Sequence, residues 1–162
     1  MLKVSFCAGL KPSKREEFSQ IPQRILEKHA LVQAKFGDIV IPVDVCVDER
    51  ITKRTEFKLD GAQCNRALAY LGDAHLSLYL AQSAYAKGFS AHEFQAWRTL
   101  RTSDQHLASV YDKVFGENVI VFECFGGEQP FVRQKATYVE ALIGALGTTE
   151  TGLGLMETII GL

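Results

Sequence analysis

Two carboxylates stand where charge is expensive. Asp73 lies within Leu71-Gly-Asp-Ala-His-Leu-Ser-Leu and Glu140 within Tyr138-Val-Glu-Ala-Leu-Ile-Gly-Ala-Leu, each inside the most apolar helical stretch of its half of the chain. An ionised carboxylate buried alone costs roughly several kcal/mol, so it finds a cation, a hydrogen-bond donor or a metal. Two such acids predict a shared site. If both face one gap between two helices, a hydrated Mg²⁺, which prefers oxygen ligands, is the natural third party. The structural alternative pairs Asp73 with a local arginine or a helix amino end and leaves Glu140 facing solvent.

Other chemistry is sparser. Cys7, Cys46, Cys64 and Cys124 form no CxxC pair, which argues against a zinc knuckle or redox couple and for free thiols in a reducing compartment. Lys53-Arg54 and Arg98 with Arg101 are the clusters that could meet phosphate, or else form a solvated face. His75, Phe94 and Trp97 read as packed side chains rather than ligands or stacking platforms.

These residues need elements to position them. The chain has 162 residues, 47% hydrophobic and 23% charged, which is one globular domain's worth and excludes wholesale disorder. Lys and Arg number 18 against 19 Asp and Glu, so a strongly basic wrapper of nucleic acid is excluded, though not a local basic face. No apolar run approaches the roughly 18 residues that span a bilayer. The expected setting is intracellular, cytoplasmic or mitochondrial, with no membrane partner.

Ser13 and Glu16 read as a capping box, followed by a helix carrying Phe18, Ile21, Ile25 and Val32 with Pro22 as an early irregularity. Ile39, Ile41, Val43, Val45 and Val47 alternate with other residues and predict a short edge strand or extended arm. Cys64 to Lys87 predicts a central, mostly buried helix ended by Gly88. Ser90 to Glu93 is a second capping box opening a helix through Leu100, and another runs from Asp104 to Phe115, stopped by Gly116. Glu117 to Arg133 reads as loop, Gln134 to Leu146 as helix, and a last helix reaches Ile160. The expectation is an all-α fold.

At this level of detail the chain resembles the ribonuclease III superfamily. Asn65-Arg-Ala-Leu-Ala-Tyr-Leu-Gly-Asp-Ala-His-Leu is similar to that family's signature helix. Ile51-Thr-Lys-Arg-Thr-Glu-Phe resembles the segment that precedes it. Arg98-Thr-Leu-Arg-Thr-Ser-Asp-Gln-His-Leu-Ala resembles the next helix start, and Ala136-Thr-Tyr-Val-Glu-Ala-Leu-Ile-Gly-Ala the second acidic motif. The matches cover about residues 51–147 in the family's order. The resemblance divides the chain into residues 1–50, an unplaced N-terminal helix and extended arm, and residues 51–162, a ribonuclease III-like helical bundle with no double-stranded-RNA-binding domain expected after it.

The departures concern the acids. The family carries two carboxylates four apart on the signature helix and an Asp and Glu three apart on the later one. Here Asp73 and Glu140 keep two of these positions, whereas Ala69 and Thr137 occupy the others and Arg66 replaces a further glutamate. Two closely spaced Mg²⁺ ions need more negative charge than this to offset their repulsion. The compact Mini-III subfamily is similar in this reduced pattern and cleaves RNA, although the basic loop of that subfamily is lacking here.

The resemblance implies a Mg²⁺-dependent endonuclease for structured or double-stranded RNA, with Asp73 and Glu140 as catalytic metal ligands and Lys53, Arg54, Arg98 and Arg101 on phosphates. It also implies a homodimer with Tyr70 at the contact. The alternative is an inactive ribonuclease III-fold RNA-binding or structural protein of a mitochondrial ribosome or RNA-processing complex, a reading that Ala69 and Thr137 favour.

Overall fold

The computed structural model describes residues 3–6, 21–52, 57–60, 64–116, 119–120 and 130–161. Along them run β1 (Lys3–Phe6), α1 (Ile21–Phe36), a 3-10 turn (Val43–Cys46), α2 (Glu49–Thr52), β2 (Phe57–Asp60), α3 (Arg66–Ala86), α4 (Ala91–Arg101), α5 (Asp104–Val114), α6 (Val132–Leu146) and α7 (Glu150–Gly161). The architecture is predominantly helical. Its one described sheet is the antiparallel pair β1–β2, with Lys3 opposite Asp60 and Phe6 opposite Phe57. The chain divides into two compact units, one of residues 1–67 with 118–130 and one of residues 68–117 with 131–162.

In the first unit α1 buries Ile25 and Val32, and Ile41, Val45, Cys46, Val47 and Ile51 are likewise closed to water. The strand or extended arm expected over Ile39 to Val47 is not formed. Val45, Cys46 and Val47 are buried in succession, whereas a half-exposed strand would turn every second residue outward. Pro42 caps a 3-10 turn instead, with Val45 N–H donating to its carbonyl at 3.2 Å and Val47 N–H to Asp44 O at 3.0 Å. The backbone that a ladder would have satisfied is taken up by side chains. Gln33 donates to Ile39 O at 2.6 Å and accepts from Ile41 N–H at 3.0 Å, and His29 Nε2 bonds Ile41 O. The capping box expected at Ser13, and Cys7 and Cys124, lie outside the described residues. Burial pushes the Cys46 thiol up to about 12, which makes it unreactive.

The second unit is built on α5 and α6. Leu107, Val110 and Tyr111 of α5 are buried, as are Tyr138, Val139, Leu142, Ile143 and Leu146 of α6. Tyr111, Phe115 and Tyr138 meet ring to ring at 5.1 to 5.4 Å, two of the three contacts edge-on, the arrangement the ring quadrupoles favour. Ser90 and Glu93 form the expected reciprocal box at the start of α4, and Ser103 Oγ accepts from His106 N–H to start α5. His106 Nε2 also reaches Ile159 O at 2.7 Å, tying α5 to the end of α7.

α3 is less buried than its composition predicts. Ala69, Gly72, Leu76, Leu80 and Ala84 form its buried stripe, whereas Tyr70, Leu71, Leu78 and Tyr85 are exposed. Its close contact with α6 is made without side chains. A Cβ at Gly72 would collide with the Glu140 carbonyl and stand 2.9 Å from Gly144 N, and one at Gly144 would collide with the Leu68 carbonyl. Gly72→Ala or Gly144→Ala is therefore expected to cost on the order of 3 kcal/mol in urea unfolding, since backbone cannot yield as a side-chain tip does. Gly154→Ala, in open space on α7, should instead gain about 1 kcal/mol.

Candidate acidic site

The α3–α6 crossing brings the two sequence-predicted acids to one place. Asp73 follows Gly72 directly, and Glu140 is the residue whose carbonyl Gly72 faces. Their environments differ. Asp73 is exposed and Glu140 only partly so, although both stand in apolar helical stretches. The reason is the stripe of α3 itself: its buried face is set by Ala69, Gly72, Leu76, Leu80 and Ala84, and Asp73 lies at the edge of that face. The acids are nevertheless near enough to feel each other. The Glu140 carboxyl is pushed from its ordinary 4.5 up to about 7, first by burial, then by the negative charge of Asp73 and then by Asp104, with Arg133 pulling the other way.

Asp104 and Arg133 are additions that residue spacing did not single out. Asp104 follows the Ser103 cap and reads as an ordinary first-turn acid favoured by the helix dipole. Arg133 lies in a segment read as loop, but α6 begins at Val132, so Arg133, Thr137 and Glu140 fall at i, i+4 and i+7 on one face.

The remaining predicted residues are placed as follows. Ala69, at one position of a missing carboxylate, is 4% exposed, and Thr137, at the other, is half-buried. Arg66 pairs with Glu49 at 2.7 Å and so belongs to a structural ion pair. Arg98 is half-buried, with Nη2 donating to Ser77 Oγ at 3.3 Å, one turn along α3 from Asp73. Arg101 is also half-buried, its Nε shielded from water with no acceptor in reach. Lys53 and Arg54 lie outside the described residues. Tyr70 is 65% exposed.

Among the described residues no three His, Cys, Asp or Glu side chains converge as a ready-made metal cage. Two carboxylates still fit a hydrated Mg²⁺, which keeps several waters and commonly takes only one or two protein carboxylates together with phosphate oxygens. No helix among the described residues is long and apolar enough to cross a membrane. In comparisons with known proteins, no family model matches the chain, and no curated protein and no solved structure matches it.

The raised Glu140 carboxyl has a sign that can be checked. The folded state holds this proton more tightly than the unfolded state, so stability falls as pH rises from about 4.5 to about 7 and levels off above. Glu140→Gln should flatten that slope in urea midpoints measured across the window. In the wild type, the carboxyl ¹³C resonance of Glu140 should titrate near neutrality.

Proposed function

We propose that this chain is a ribonuclease III-like domain acting on structured or double-stranded RNA, with Asp73 and Glu140 holding a hydrated Mg²⁺ at the scissile phosphate. The observation that carries the reading is the shared location of these two acids, fixed by backbone contact and expressed in the raised Glu140 carboxyl. An acid held half-protonated near neutrality by burial, and then by neighbouring negative charge, is one that a divalent cation would ionise. The ordered motifs around both acids, similar to those of the superfamily, agree with it.

Bound there, Mg²⁺ would supply an acidified water and neutralise charge developing on the phosphate. The chain's own residues do the rest. Asp73, open to solvent, and Glu140, partly closed to it, would be the carboxylates that hold the ion. Arg98, fastened near Ser77, offers a guanidinium to the RNA backbone beside the acids.

A second copy of the chain is the proposed partner. Ala67, Tyr70, Leu71, Ala74, Leu78 and Tyr85 are all exposed and fall within a roughly 100°-wide arc of α3, opposite its buried stripe. A helix apolar on both faces is covered on both. A two-fold pairing of these stripes sets one acidic site per protomer along a duplex.

The second reading, an inactive RNA-binding or structural protein of a mitochondrial ribosome or RNA-processing assembly, is favoured by the neutral, closed position at Ala69 and the absence of a three-ligand cage among the described residues. One experiment separates them. Purified protein is incubated with end-labelled duplex RNA and Mg²⁺ beside Asp73→Asn and Glu140→Gln. Cleavage by the wild type, reduced about 100-fold or more in either variant, is expected, the scale of losing one catalytic group. Intact RNA in all three lanes would remove the nuclease and leave the structural reading. In sedimentation, Leu78→Glu should turn a dimer into a monomer.

A further inference from the structure

α4 turns a single face toward its unit. Phe94, Trp97, Arg98 and Arg101 are half-buried, and every other residue of the helix is exposed. Their spacing of i, i+3, i+4 and i+7 is that of one helix face. The amino-terminal half of this face is aromatic, with Trp97 meeting Phe89 edge-on at 5.4 Å. The carboxy-terminal half consists of two guanidiniums. Neither forms an ion pair with a described residue. Cations at the end of a helix are favoured by its dipole, which accounts for their sign. It does not account for their direction, because the dipole acts on exposed side chains as well. Two like charges at i and i+3 repel, and shielding a guanidinium from water without an acid beside it is costly.

The hydrogen bonds around the pair are equally one-sided. Arg98 Nη2 donates to Ser77 Oγ at 3.3 Å, so Ser77 is the acceptor there and its O–H stays free to donate. Arg101 has its Nε closed off, but its two Nη groups are open to solvent and bond to no described residue. Three side chains thus present donors, and no carboxylate answers them. Asp73 stands one turn along α3 from Ser77 and pairs with neither arginine.

We infer that Arg98 and Arg101, together with the Ser77 hydroxyl, form a binding site for a phosphate group. Each planar fork takes two oxygens of an oxyanion, and a tetrahedral phosphate has enough oxygens to meet both forks and the hydroxyl, which a carboxylate does not. Ser77 and Asp73 are about 6 Å apart along the axis of α3, so a phosphate held here lies beside the acids. That the phosphate belongs to RNA rests on the function proposed above; that the arginines hold a phosphate does not.

The test uses the full chain. Inorganic phosphate is titrated into ¹⁵N-labelled protein at low ionic strength, and the Nε–Hε resonances of Arg98 and Arg101 are followed. Saturable shifts are expected at both. Arg98→Gln and Arg101→Gln should each weaken binding about tenfold, the scale of one charge-assisted hydrogen bond. Arg101→Lys keeps the charge at the helix end, should unfold at the wild-type urea midpoint, and should still bind more weakly for want of the fork. If phosphate leaves both resonances unmoved, the inference falls. It falls equally if Arg101→Gln lowers the urea midpoint but binds phosphate as tightly as the wild type, for then the arginine serves the helix alone. A second arm measures Mg²⁺-free binding of duplex RNA against salt. An RNA phosphate at the site predicts that Arg101→Gln lowers the log–log slope by about 1. An unchanged slope beside intact inorganic phosphate binding by the wild type upholds the site and assigns it to a free phosphate, a result separate from loss of the nuclease activity.

Discussion

Where α3 crosses α6, backbone lies against backbone. Gly72 lies on the Glu140 carbonyl and the Gly144 amide, and Gly144 lies on the Leu68 carbonyl and the Gly72 amide. Each glycine costs its helix about 1 kcal/mol against alanine. That cost is offset by contacts available only when no Cβ intervenes. The gain for chemistry is positional. Asp73 and Glu140 are set by where two rigid backbones touch, not by the rotamers of intervening side chains, so their separation is insensitive to repacking elsewhere.

The same contact forces an electrostatic conflict. Glu140 is partly closed to water and lies within reach of the negative charge of Asp73 and Asp104. With no cation, the conflict resolves by protonation near neutrality. A bound cation would favour the ionised form instead, and Arg133 pulls in that same direction from one end of the same helix face.

Much of this was legible in residue order. The boxes at Ser90 and Glu93 and the cap at Ser103 are local devices, complete within four residues, and they start helices where their spacing says. The acid pair was legible because carboxylates in apolar helices are conspicuous. The stretch from Ile39 to Val47 was misread because β-branched residues alternate there in type but not in burial. Tertiary contact with α1 through Gln33 and His29 decided its course. α3 reads as mostly buried, since composition alone does not distinguish a helix inside a core from one with two apolar faces. Asp104 and Arg133 could not be assigned by spacing, because their relation to Glu140 depends on how α5 and α6 are placed. The start of α6 was also hidden: Phe131 carries none of the usual capping chemistry, and the side chain that replaces it comes from Gln134.

α4 differs from its neighbours in having no buried side chain at all. Its side chains meet the rest of the unit through the edge-on contact of Phe89 with Trp97 at 5.4 Å, Lys87 over the Trp97 ring at 5.6 Å and the bond from Arg98 to Ser77. Little apolar area is lost to water when such a segment lifts away, so its opening free energy lies far below that of α5 or α6. Backbone protection against deuterium would be lost in α4 while the aromatic cluster beneath α6 is still closed. Arg98 is thus mounted on the piece of the unit that lets go first, and whatever it grips is gripped by a part that can swing.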